Sequence, residues 1–330
     1  MHLNNREKIL IIRLSSLGDI LLTTPIIRTL KNTYPASKIN FLLKQKYNDV
    51  LVKNPNLSKI FLYKSEKDGF EQLLKAMNQE KFDFVIDLQN NLRSYKIRQN
   101  LKVPGVKFHK NSYKKFLLVN FKINFLKNAL QIPERYAKSI QNLELDAFGL
   151  DLFTDKSPSE KLNGADSYIG FAPGSRHFTK MWPKEYFVEL GEKLLNIGYK
   201  IVLIGGKSDI KVCDEIYSNL KHAINLCNDN DLLQTAADMK KLKLLVCNDS
   251  GMMHVASAVK IPVAVIFGSS VKEFGFTPYR NKNLILENNS LFCRPCSHIG
   301  RERCPKGHFK CMLDITPDFA FNEIINFIES

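Results

Sequence analysis

Four short loops in this chain carry residue types that bind phosphates or move protons. Ser15-Ser16-Leu17-Gly18-Asp19 ends an apolar run and opens a helical pattern. Gly18 permits a tight turn, and backbone N–H groups at a helix start stabilise an anion. Asp19 has two roles open to it, a helix cap worth about 1 kcal/mol or a proton acceptor. Ala172-Pro173-Gly174-Ser175, with Arg176, Thr179 and Lys180 behind it, offers the donors and positive charge that a diphosphate needs. Gly205-Gly206-Lys207-Ser208-Asp209 allows close backbone approach and presents Asp209 to a ribose, with an N-cap as the alternative. Asn248-Asp249-Ser250-Gly251-Met252-Met253-His254 aims N–H groups outward at a helix start, a phosphate nest. His254, one turn in, is open either to a substrate or to a satisfied place in the core. Trp182, the only tryptophan, precedes Pro183 and reads as a plug at a helix start.

Loops of this kind must be held by strands. Lys8–Leu14 is a near-continuous apolar run, as in a parallel sheet buried on both faces. Ile39–Leu43, Ile60–Leu62 and Phe84–Leu88 follow, separated by helix-length segments, with Pro25 in the first turns of one helix. A polar stretch from Asp151 to Ser167 reads as a linker. The alternation then restarts with strands at 168–171, 200–204, 223–226, 244–247 and 262–267, and helices at 184–197, 209–219 and 251–259. This is α/β organisation in two doubly wound halves, 1–160 and 161–330, where ligands bind at the carboxyl ends of strands. Neither G-x-G-x-x-G nor G-x-x-x-x-G-K-[ST] is present, which removes the main support for hydride and P-loop chemistry.

Taken in order, these loops resemble the heptosyltransferases of glycosyltransferase family 9. The resemblance rests on Ile11–Pro25, on Pro173-Gly174-Ser175 with Lys180-Met181-Trp182-Pro183, and on Asn248–Ala256. It implies the GT-B fold: two Rossmann-like doubly wound parallel-sheet domains facing a central cleft, with Asp19 and the Asp249-Ser250-Gly251 turn on opposite walls. The N-terminal domain would bind the acceptor through Ser15, Ser16 and Gly18. The C-terminal one would bind ADP-heptose through Ser175, Asp209, Asp249, Ser250, Gly251 and His254, with Ser208 the alternative to Asp209. By the same resemblance Asp19 is the catalytic base and Lys180 meets the donor phosphates. The C-terminal helix could pack back on the first domain. With no D-x-D motif, no metal and no cofactor are expected. The implied acceptor is a lipid-linked, phosphorylated lipopolysaccharide core. Rival readings are a relative using another sugar nucleotide or acceptor, a non-catalytic sugar-nucleotide-binding module, and a nucleic-acid-binding protein; no recognition motif supports the last.

The 330 residues carry a net charge of +15, with 44% hydrophobic and 25% charged residues, an ordinary globular balance. Between Asp87 and Glu134 there is no acidic residue, yet ten Lys or Arg: Arg93, Lys96, Arg98, Lys102, Lys107, Lys110, Lys114, Lys115, Lys122 and Lys127. Phe108, Tyr113, Phe116, Leu117, Leu118, Phe121 and Phe125 are interleaved. The stretch reads either as a solvated basic face or as a surface for an anionic acceptor or the anionic inner-membrane face. The first apolar run is too short for a signal-peptide core, and no stretch is long enough to span a bilayer. A peripheral protein on the cytoplasmic side is the expectation. Cys213, Cys227 and Cys247 read as reduced, half-buried thiols. Cys293-x2-Cys296-x7-Cys304-x6-Cys311, with His298 and His308, leaves a zinc staple and reduced structural thiols both open.

Overall fold

The computed structural model describes residues 7–64, 67–164, 167–228 and 231–330. The chain forms two compact units, residues 1–111 with 130–153, and residues 112–129 with 154–330. The break therefore falls at 153/154 instead of 160/161, and the excursion 112–129 belongs with the second unit.

In the first unit β1 (Lys8–Ile12), β2 (Lys38–Lys44), β3 (Lys59–Tyr63), β4 (Phe84–Asp87) and β5 (Gly105–Lys107) make a parallel sheet in the order β3-β2-β1-β4-β5. Ile9, Leu10, Ile11 and Ile12 are fully buried, so β1 is covered on both faces, as its apolar run requires. β5 was not foreseen. It has three residues, and a Cβ at Gly105 would stand 2.2 Å from the Val85 carbonyl oxygen, so only glycine lets β5 approach β4.

The helical pattern after β1 is two helices, α1 (Leu17–Leu21) and α2 (Thr24–Thr33). Pro25 has no N–H for the Leu21 carbonyl, and the Thr24 hydroxyl takes that carbonyl instead at 2.8 Å. The remaining helices here are α3 (Lys67–Gln79), α4 (Leu92–Leu101) and α6 (Ile132–Ala137); α5 (Ser112–Phe121) lies in the excursion. Arg28 of α2 binds Asp146, Asp151 and the Gly149 carbonyl, fastening the returning chain.

The second unit has β6 (Tyr168–Ala172), β7 (Lys200–Leu203), β8 (Ile224–Asn225), β9 (Leu242–Asn248), β10 (Val263–Phe267) and β11 (Asn283–Glu287), all parallel, in the order β11-β10-β9-β6-β7-β8. From β6 outward this is the 3-2-1-4-5-6 order of a Rossmann sheet. β10 is not its last strand: β11, half-exposed and flanked by asparagines, closes the edge. Phe187, Leu190, Gly191 and Leu194 form the buried stripe of α7 (Lys184–Asn196), and α8 (Ile210–Asn219) packs beside it. α9 (Leu232–Met239), α10 (Gly251–Ala258), α11 (Lys310–Leu313) and α12 (Pro317–Glu329) complete the unit.

α12 lies on α7 and β11, burying Ala320 and Ile324 in the second unit's core. The described part of the supposed linker is strapped to α9. Thr154 donates to the Leu233 carbonyl, and the Asp238 carboxylate accepts from the Ser159 N–H. No helix among the described residues is long and apolar enough to cross a membrane.

Candidate functional site

In each sheet the strand order reverses beside the first strand, at β1/β4 and at β6/β9. The loops leaving such a pair diverge, and the crevice they open is where doubly wound sheets bind ligands.

At the first unit's switch point the Asp19 carboxylate is held from both sides. Arg13 Nη2 lies 2.7 Å from Oδ1, while Oδ2 accepts from the Ser16 N–H at 3.0 Å and the Ser16 hydroxyl at 2.7 Å. Asp19 is thus a cap of α1, but the cap uses only part of it. A carboxylate has about four lone-pair positions; three are engaged, one of Oδ1 is free, and 18% of the side chain is open to solvent. Burial pushes this carboxyl up, but the Arg13 charge and the Ser16 bonds outweigh it and hold it below the usual carboxylate range. The group is ionised at neutral pH.

Arg13 is itself nearly buried. It donates to the Leu88 carbonyl at 2.7 Å beyond β4 and sits 5.8 Å from the Tyr136 ring centre. Burial, opposed by Arg13, pushes the Tyr136 phenol well up, so it stays protonated. Gln89 accepts from the Leu14 and Ser15 N–H groups at 2.9 and 3.3 Å, joining the two strand exits. Lys110 donates to the Asn90 carbonyl, and burial with repulsion from Arg13 lowers its pKa. Sequence reasoning assigned no site role to Arg13 or Gln89, and placed Lys110 only in the basic stretch read as a solvated face or an anionic-acceptor surface; the polar run Asp87–Asn91 at the exit of the neighbouring strand was the available signal. Gly18 makes no left-handed turn; it is buried within the five-residue α1.

In the second unit Asn248, at the end of β9, donates to the Pro173 carbonyl at 2.7 Å and accepts from the Trp182 N–H at 3.0 Å. One buried amide thus fixes the loop after β6 to the segment carrying Lys180. Trp182 is a plug: it is 2% exposed and its indole N–H binds the Ile315 carbonyl at 2.8 Å. The Lys180 ammonium lies 2.6 Å from Asp249 Oδ2, which also accepts from the Ser270 hydroxyl. Ser250 caps α10 through its backbone alone, and its hydroxyl oxygen is buried with no hydrogen-bond partner. Gly251 begins the helix, whose first N–H groups have no intrahelical acceptor. His254 is buried one turn in.

Asp209 fills the space between two glycine loops. A Cβ at Gly174 would fall 2.1 Å from Asp209 Oδ1, and one at Gly205 would fall 2.7 Å from Asp209 Cβ. The carboxylate accepts from the Gly206 N–H and the Ser208 hydroxyl. Asp209, Ser208, Ser175 and Gly174 line a cavity of about 630 Å³ that also takes in Phe178, Met181 and Phe309. Phe178 and Phe309 stack at 4.7 Å.

The segment beyond β11 is fastened by cations on carbonyls. Arg294 donates to Phe267, Gly268, Ser270 and Asn288 and pairs with Glu287 at 2.8 Å, so it sets the Ser269-Ser270 turn that holds Asp249. Within the Cys/His set, Cys293 Sγ lies 3.8 Å from His308 Nε2. Among the described residues, no three His, Cys, Asp or Glu side chains are placed to share a metal ion.

The family model for glycosyltransferase family 9 (heptosyltransferase) matches residues 70–306. Lipooligosaccharide heptosyltransferase 2 of Campylobacter jejuni is 27% identical over 95% of this chain and 96% of its own length. Among solved structures, a family 9 glycosyl transferase from Veillonella parvula superposes with a TM-score of 0.80 at 24% identity, covering 100% and 99% of the two chains. ADP-heptose lps heptosyltransferase II of Escherichia coli gives 0.74 at 21%, covering 98% of each.

Proposed function

The chain belongs to glycosyltransferase family 9, and from that premise we propose that it moves heptose, with inversion, from ADP-heptose to the inner core of a lipid-linked lipopolysaccharide. Its two parallel-sheet units are the Rossmann-like domains of the GT-B fold. The observation that carries the donor assignment is the Lys180 ammonium, 2.6 Å from Asp249, at the head of α10 beside the buried Ser250 hydroxyl. A cation, a hydroxyl and outward N–H groups at one switch point suit a diphosphate. Asp209, with Ser208 and Ser175 in the same cavity, faces the ribose, and Gly251 and His254 complete the turn.

In the proposed reaction, Asp19 accepts the proton of an acceptor hydroxyl positioned by Ser15 and Ser16, through the free lone pair of Oδ1. The acceptor oxygen forms its bond to the anomeric carbon as the carbon–oxygen bond to the diphosphate breaks. Lys180 leaves Asp249 for the phosphates and, with the α10 N–H groups, takes up the departing charge. A base held at low pKa accepts a proton late, when the new glycosidic bond is largely made. With such an acceptor the enzyme works on the cytoplasmic face of the inner membrane.

The test is transfer from ADP-heptose to a panel of truncated cores. Asp19→Ala should keep ADP affinity and lose about 10²–10⁴ in kcat. Wild-type turnover in that variant would end the assignment of Asp19, and transfer from a different sugar nucleotide would end that of the donor.

A further inference from the structure

The excursion 112–129 is built inside out. At 100° per residue, Tyr113, Phe116, Leu117, Asn120 and Phe121 share one face of α5, and Lys115, Leu118 and Val119 share the other; Lys122 follows the helix with a left-handed φ of 60°. A surface helix ordinarily buries the apolar face and leaves the lysines in water. Here Tyr113, Phe116 and Phe121 are 72%, 53% and 61% exposed, and Phe125 just beyond the helix is 62% exposed. Two of the segment's lysines, Lys115 and Lys122, point inward. Lys115 sits over the Phe274 and Phe276 rings at 5.7 and 5.2 Å. Lys122 donates to the carbonyls of Val119, Cys293 and Pro295. Leu118 and Leu126, with Val119 and Ala129 partly buried beside them, anchor the segment in a small cluster with Phe274.

Several large aromatics gathered on one exposed face mark a surface that something covers. The segment holds four lysines and no acidic residue, with Lys114 and Lys127 in solvent beside the aromatics. A second copy of the chain fits poorly, because a two-fold contact would bring equal positive charges together in a molecule already at +15. Anionic lipid fits both features. Aromatic rings settle at the level of the headgroups, and flanking lysines meet their charge.

We propose that residues 112–129 dock the protein on an anionic membrane, with Tyr113, Phe116, Phe121 and Phe125 entering the headgroup layer and Lys114 and Lys127 beside them. This deepens the functional reading by assigning it a membrane face, and it rests on that reading only for the supply of a lipid-linked acceptor. Two of the ten cations in the basic stretch, Lys115 and Lys122, are used inside the fold and add nothing to that surface.

Flotation of the full chain with vesicles tests this, using phosphatidylcholine alone and phosphatidylcholine with phosphatidylglycerol in equal parts. The wild type should float with the mixed vesicles. Phe116→Ser with Phe121→Ser should weaken that binding by about tenfold or more, while melting temperature and transfer to a water-soluble, delipidated core stay at wild-type levels. Lys114→Glu with Lys127→Glu should weaken it too, and salt should mimic only this second effect. Unchanged flotation of the aromatic variant overturns the proposal. So does sedimentation equilibrium showing a wild-type dimer that the aromatic substitutions dissociate. Flotation without transfer from ADP-heptose would sink the proposed reaction and leave this surface standing.

Discussion

The geometry around Asp19 makes a pH prediction with a definite sign. Its folded pKa lies below the ordinary value because Arg13 and Ser16 together outweigh burial. The Asp19–Arg13 interaction therefore adds stability that is fully present above the unfolded carboxyl's pKa and is lost as pH falls through the depressed folded value. With Asp19 as the base we propose, catalysis follows the same limb. In Arg13→Gln the desolvation is no longer opposed by a neighbouring cation, and the carboxyl titrates at higher pH. The acid limb of kcat/KM should move upward relative to wild type, with the activity at neutral pH lowered less than in Asp19→Ala. A pH–rate profile on a soluble acceptor checks it. An acid limb at the wild-type position would mean that Arg13 holds the loop without tuning the base. Asp19 itself was legible in the sequence, as was its ambiguity. Arg13 ended an apolar run and carried no sign that it would turn back to meet the carboxylate.

The strands buried on both faces are the plainest in the sequence, although the half-exposed β3 and β8 were read as well. β1, β2, β4, β6, β9 and β10 are apolar runs because no side of them meets water. β5 and β11 escaped detection for opposite reasons, one being three residues long and glycine-led, the other a half-exposed edge. The excursion around α5 was illegible in a stronger sense: its apolar periodicity marks the solvent side. Arg294 shows how much rests on a residue no motif singles out. It and Glu287 are 4% and 7% exposed at their side chains, and between them they join β10, β11 and the loop beyond. Arg294→Ala leaves the Glu287 carboxylate with only Lys272 at 4.0 Å and Asn289 at 3.3 Å, and frees four carbonyls, and should cost about 3 kcal/mol. The denaturant midpoint of the full chain should fall, and Arg294→Lys should recover only part of it, since an ammonium cannot reproduce the guanidinium fork. Full recovery with lysine would reduce the role to charge alone.

At the scale of the whole molecule, the two sheets have the same kind of switch point but different chemistry. Both exits hold a carboxylate paired with a cation, Asp19 with Arg13 at β1/β4 and Asp249 with Lys180 at β6/β9, but only the latter adds the buried Ser250 hydroxyl and the start of an eight-residue helix. That asymmetry predicts where the nucleotide goes. A diphosphate is repelled by an ionised Asp19 and drawn to Lys180 and the α10 N–H groups. ADP at a hundred times its Kd should stabilise the unit that binds it by about 2.7 kcal/mol. Hydrogen exchange on the intact chain reads this by location. Protection is expected at 173–183, 205–209 and 249–253, the three exits whose residues meet at Asp249 and in the cavity beside Asp209. Lys180→Ala should shrink that protection at equal ADP concentration, because Asp249 keeps its charge and loses its counter-ion, turning an inviting site into a repelling one. Protection confined to 14–19 and 87–91 would place the nucleotide on the other sheet and exchange the roles of the two units.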